Sequence, residues 1–240
     1  METNNFNYVQ SQGESASMSK TFVASVFSWM SAALVITAIV AYYFANDLQL
    51  LSLLVNFETG KMNGLGYVAV FAPLGISFLL PVAFKRFSYV AILLLFLTFA
   101  ILMGVSLSFI FLMYTASSIY TVFLSCAGMF GLMAVVGYTT KTDLTKFGSI
   151  MMMAVLGLVI SSVINFFVAS DTFSYIIGFI GVIVFTGLTA YQVQALKELG
   201  ATESTESETG KKYVIHGAFS LYITFINLFL SLLRIFGDRK

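Results

Sequence analysis

FSYVAILLLFLTFAILMGVSLSFIFLMYTASSIYTVFLSCAGMFGLMAVVGYTT, residues 87–140, runs from Phe87 to Thr140 without a single Asp, Glu, Lys, Arg or His. Crossing a hydrocarbon core takes about 20 apolar residues, so this interval alone holds two spans. The flanking sequence has the same character. Of 240 residues, 59% are hydrophobic and only 10% are charged, and the mean hydropathy is +0.93. A soluble domain carries roughly a quarter charged residues, because its surface must face water. That surface is missing here. Within lipid every backbone polar group must be satisfied internally, which leaves helices or a closed barrel. A barrel needs short alternating strands, whereas these segments are long and continuously apolar, so the sequence predicts an all-α integral membrane protein with the lipid bilayer as its surroundings. A net charge of +1 supplies no basic patch to neutralise phosphates and argues against nucleic acid as a partner.

Outward from residues 87–140, the hydropathy pattern predicts seven spans, at 21–45, 64–84, 87–113, 117–138, 147–169, 173–195 and 213–236. They form one transmembrane domain, 21–240, preceded by a polar tail over 1–20 that reads as disordered. The tail lacks the short apolar core and cleavage site of a secretory signal, so the first span is expected to act as the insertion signal and to be retained. With the N-terminus cytoplasmic, Lys20, Lys85, Arg86, Lys141, Lys146, Lys197, Lys211 and Lys212 fall inside. Lys61, Arg239 and Lys240 fall outside, and Arg234 lies near a helix end. This excess of inner Lys and Arg predicts N-in, C-out. Residues 46–63 read either as a leucine-rich interfacial segment or as an outer loop. Pro73 and Pro81 make the second span the one expected to kink. Residues 198–212, acidic and rich in Ser and Thr, read as a flexible solvated loop.

Catalytic chemistry finds little material. Gly64-Leu65-Gly66 lacks the third glycine and the preceding strand of a dinucleotide site, and Gly210-Lys211 lacks the upstream glycine of a phosphate loop. His216 is the only histidine, which rules out two-histidine metal sites, and its place near the start of the last span argues against a histidine-dependent triad. Cys126 falls inside an apolar span, where a thiol is buried and inert. No cofactor, metal site or enzymatic activity is expected. The predicted helix interiors hold no ionisable group apart from Arg234 near one end, so a carboxylate-driven pump has no evident titrating residue.

Neutral polar residues are what remains. Gly217, Ser220, Thr224, Asn227, Ser231 and Arg234 follow spacings of three and four, which places them on one seam of the last helix. Such a seam faces other helices or a water-filled cavity: it serves as interhelical glue or as the lining of a path. Gln192 in the sixth span is expected to face the bundle as well, since a lipid-facing glutamine is costly. Ala100, Gly104 and Ser108, and likewise Gly157, Ser161 and Asn165, repeat at four-residue spacing and read as packing faces.

The segment from Leu221 to Gly237 (LYITFINLFLSLLRIFG) resembles the Bax inhibitor-1 family of membrane proteins. The similarity extends to FSWMSAALVITAIVAYYFA in the first span, to GYTTKTDLTKFGSIMMMAVLGLVISSVINFF between the fourth and fifth, and to TAYQVQ in the sixth. It covers nearly the whole chain after the tail and is most like the bacterial, YccA-like branch. The resemblance implies seven transmembrane helices with the last central in the bundle, and a bacterial cytoplasmic membrane. It also implies either a passive leak of calcium or another cation, or regulation of a membrane protease or stress response by binding. The family's leak is associated with two aspartates, one in a Tyr-Asp-x-Gln pattern and one in a Leu-Tyr-Leu-Asp pattern. The matching positions here are Gln192 and Thr224, so the pair expected to sense pH is neutral in this chain.

Overall fold

Helix is the outcome almost throughout, as the need to satisfy the backbone without water dictates. The structure, a computed structural model, describes residues 2–240 apart from 58, 60 and 85, with side chains from residue 14 onward apart from those of 81 and 83. Lys85, one of the expected inner charges, therefore lies outside the described residues. In chain order the elements are α1 (Glu2–Asn46), α2 (Leu48–Ser52), β1 (Val55–Asn56), β2 (Lys61–Met62), α3 (Gly64–Phe84), α4 (Tyr89–Met113), α5 (Ala116–Thr139), α6 (Thr145–Val168), α7 (Asp171–Gly200) and α8 (Glu208–Phe236). Among the described residues six helices are long and apolar enough to cross a membrane: Glu14–Asn46 of α1, and α4 to α8. Gly64–Leu80 of α3 is a shorter apolar helix. The chain is an all-α integral membrane protein.

Helix boundaries follow local chemistry. Side-chain oxygens of Ser88, Thr115, Ser170 and Ser207 accept backbone N–H groups at the starts of α4, α5, α7 and α8, satisfying donors that a helix start leaves orphaned. α6 ends at Ala169, which takes a left-handed φ of 52°.

Three expectations change. In place of a disordered tail over 1–20, α1 is helical from Glu2. Ser19 is only 4% exposed, and its Oγ donates to the Lys197 carbonyl at 2.7 Å. A buried polar anchor fixes the end of the polar stretch to α7. Residues 46–63 form neither a plain interfacial segment nor an unstructured loop. Asp47 caps α2, accepting from Gln49 and Leu50; β1 and β2 pair antiparallel, Val55 opposite Met62. Leu51 and Leu54 are buried, and Leu54 packs with Ala69 of α3 and Val105 of α4. The expected flexible loop over 198–212 is also shorter, because α7 runs to Gly200 and α8 begins at Glu208, where Glu208 meets Lys212 at 3.4 Å.

α8 packs against α1, α4, α5 and α7 and touches α3, whereas α6 packs on α7. Burial follows this arrangement: α8 is buried along its length, and α6 buries only Gly148 and Leu158. Aromatic edges line α8. Phe96 and Phe99 of α4 meet Phe219 and Tyr222 edge-on, and Phe123 and Phe130 of α5 meet Phe225. Such pairs add about 0.5–1.5 kcal/mol each beyond area burial.

The helix ends gather into two groups. At one end Phe84 of α3 lies against Tyr213 and His216 of α8. There too Ser19 meets Lys197, and the Lys197 Nζ donates to the Tyr138 carbonyl that ends α5. At the other end the chain after α8 pairs with the α4–α5 turn, Lys240 N donating to the Met113 carbonyl and Thr115 N to the Asp238 carbonyl. Arg239 bonds Asp171 at the start of α7.

Candidate functional site

The polar seam of α8 is turned toward α7. Close approach is possible because Gly178 and Gly181 of α7 leave no Cβ: one on Gly181 would run into the Ser231 side chain, and one on Gly178 would stand 3.1 Å from the Ser231 carbonyl oxygen. Two helices brought this near can bond across through short side chains.

They do so at Gln192. Its Nε2 donates to the Ser220 Oγ at 3.0 Å, and its Oε1 accepts from the Thr224 Oγ1 at 2.9 Å. Ser220 and Thr224 stand one turn apart on α8, so a single planar amide clamps two successive turns. Thr224 is 2% exposed and Gln192 and Ser220 are half-buried. All three groups are neutral, and the two bonds join them into one cluster.

The rest of the seam does not continue this network. Asn227 Nδ2 donates to the Ile223 carbonyl at 2.8 Å, and Ser231 Oγ to the Asn227 carbonyl at 2.7 Å, both back onto α8 itself. Arg234 closes the series with an exposed side chain. The six residues share a face, but only Ser220, Thr224 and Gln192 form a connected cluster. The expected packing faces also divide: Ala100, Gly104 and Ser108 are buried, whereas on α6 Gly157 has open space where a Cβ would stand and Ser161 and Asn165 are only half-buried.

Two polar groupings escaped the sequence reading. In the first, the Thr37 hydroxyl of α1 donates to the Ala100 carbonyl at 2.9 Å and lies 2.7 Å from the Tyr222 hydroxyl. This joins α1, α4 and α8 in a buried spot. One threonine inside LVITAIV carries no signal of its direction, since a hydroxyl can equally bond its own helix. In the second, Gln194 accepts the Leu144 N–H and donates to the Thr142 carbonyl, both at 2.8 Å. It fastens the α5–α6 connection to α7. Two glutamines in a row of four, Tyr191-Gln192-Val193-Gln194, were visible; that they clamp different partners was not. Asp143 lies in that connection, and its hydrogen bonds from Thr145 hold its carboxyl below the usual carboxylate range.

Cys126 is fully buried, its Sγ 3.8 Å from the Phe225 carbonyl. Among the described residues no three His, Cys, Asp or Glu side chains come together as metal ligands.

Comparison with known proteins places these residues in context. The family described as Inhibitor of apoptosis-promoting Bax1 matches residues 19–240. The chain is 42% identical over 222 residues to the inner membrane protein YbhL of Escherichia coli strain K12, covering 92% of this chain and 93% of that one. It is 37% identical over 221 residues to the protein RP147 of Rickettsia prowazekii, covering 92% and 91%. With a protein of Borreliella burgdorferi it shares 36% identity over 220 residues, covering 91% and 92%.

Proposed function

Since the chain belongs to the Bax inhibitor-1 family, we propose that it is a seven-span protein that mediates a passive leak of calcium or another cation, without the family's pH-operated switch. The carrying observation is the Gln192–Thr224 hydrogen bond of 2.9 Å. The two positions at which the resemblance places an acidic pair are indeed partners here, but an amide and a hydroxyl cannot titrate. Two adjoining carboxylates would share protons and change their pairing with pH. A neutral pair holds α7 to α8 alike at every pH and offers no anionic oxygen to a hard cation.

Seven spans follow if α3 also crosses. It starts beside Leu54, near Val105 of α4, and ends against Tyr213 and His216 of α8. From Gly64 to Phe84 it has 21 residues, or about 30 Å of helix, the thickness of a hydrocarbon core. The positive-inside pattern sets the N-terminus in the cytoplasm and the C-terminus outside. The inner membrane named for YbhL supports the bacterial cytoplasmic membrane as the location.

A second reading is a non-conducting regulator that acts through partners such as a membrane protease. The closed hydrogen bonding of the seam favours it, since Asn227 and Ser231 return to their own helix and line no continuous polar path. Calcium flux into dye-loaded liposomes between pH 6 and 8, for the wild type and for Gln192→Asp with Thr224→Asp, separates the two. Wild-type flux that is flat with pH supports the ungated leak. Flux only in the double variant supports the regulator.

A further inference from the structure

α4 and α5 are joined by a tight turn at Tyr114 and Thr115, yet they do not pack along their lengths. α1 packs on α4, and α5 packs on α8. Between these pairs, near the end where the turn lies, a slot of about 90 Å³ opens. Phe111 forms its α4 side and Phe123 its α5 side, Ala38 and Ala41 stand on α1, and Phe225 and Phe229 lie beneath on α8.

Every wall except Thr37 is hydrocarbon, and the Thr37 hydroxyl is already engaged by the Ala100 carbonyl and Tyr222. Water needs two to four polar partners to occupy a cavity, so this one excludes it. An unfilled void forfeits dispersion contacts for all of its lining. The slot opens to the outside of the bundle, where lipid would stand: of its lining residues Ala38 on α1 and Phe123 on α5 are exposed. Only one filler is present in bulk at such a rim.

We propose that the slot is a binding site for one acyl chain of a bilayer phospholipid, inserted from the leaflet at the α4–α5 turn and seated against Phe225 and Phe229 of α8. Phe111 and Ile119 lie within about one turn of Tyr114 and Thr115, so the chain enters by its upper methylenes, near the headgroup. The bound chain supplies the packing that α4 and α5 do not give each other, and it touches the same helix that carries the Gln192 clamp.

The test uses tryptophan fluorescence in phospholipid vesicles brominated in the upper half of an acyl chain. Trp29, the only tryptophan, is first replaced by Phe. Phe229 is 6% exposed, so a tryptophan there is reached by bromine only if a chain enters the bundle. Phe229→Trp is expected to lose fluorescence nearly as far as Phe166→Trp, whose site is 76% exposed. Phe96→Trp, fully buried away from the slot, is expected to keep its emission. Ala38→Phe, filling the mouth, is expected to restore the emission of Trp at 229. Quenching at 229 no greater than at 96, or quenching indifferent to Ala38→Phe, overturns the proposal. Should Phe229→Trp not fold, Phe225→Trp, at a wall position only 3% exposed, is read against Ala38→Phe in the same way.

Discussion

Gln192 joins α7 to α8 through both ends of its amide, and its removal is the most direct probe of that union. Gln192→Leu keeps the bulk and removes two interhelical bonds. Such bonds average about 0.6 kcal/mol each inside a membrane, and Thr224, 2% exposed, is left with an unmatched hydroxyl. The expected loss is about 1–2 kcal/mol, read from unfolding equilibria in mixed micelles; an unchanged midpoint would show that the cluster is incidental. The opposite sign is expected on the same helix. Among the described residues Thr186 Oγ1 is buried without a partner, so Thr186→Val, which keeps the shape and drops the orphan hydroxyl, should stabilise by about 1 kcal/mol. At this scale the sequence showed which residues are polar and on which face of α8. It did not show that Asn227 and Ser231 bond their own backbone while Thr224 reaches across, because the periodicity of one helix carries no information about where its neighbour's acceptors stand.

Between elements, contact distance is set by the smallest residue at the crossing. A Cβ on Gly137 of α5 would collide with the Ala190 carbonyl of α7, whereas one on Gly157 of α6 would meet nothing. Gly137→Ala therefore forces α5 and α7 apart, at about 1–3 kcal/mol. Gly157→Ala should be neutral or stabilising by about 0.5–1 kcal/mol, since it only removes backbone freedom from the unfolded chain. Equal effects at the two sites in a thermal denaturation series would contradict the packing described. Helix positions were legible from apolar runs, although α1 begins well before residue 21 and α7 and α8 extend past the predicted spans into 198–212. The α2 and β1–β2 cap between α1 and α3 was not, because its short apolar run, Leu50 to Leu54, gains its burial from α1, α3 and α4.

For the molecule as a whole, the two sets of helix ends make orientation testable in one experiment. Cys126 is fully buried, so the native chain offers no competing thiol. Thr59→Cys, between β1 and β2, should react with a membrane-impermeant maleimide on intact spheroplasts. Ser204→Cys, between α7 and α8, should react only after permeabilisation. The reverse pattern would invert the topology and the charge argument with it. The sequence by itself determined that this protein lives in a bilayer, that it is built of helices, where the apolar stretches of those helices lie, and the family to which it belongs. The bilayer and the helices follow from transfer free energies and backbone hydrogen bonding, which depend on composition along the chain; the family follows from the resemblance of particular stretches such as Leu221 to Gly237. Only the tertiary structure decided that Gln192 meets Ser220 and Thr224, that Thr37 meets Tyr222, and that an apolar slot remains beside α8. Those facts depend on the rotation and separation of neighbouring helices. In lipid these are fixed by small residues and complementary shape rather than by any apolar periodicity.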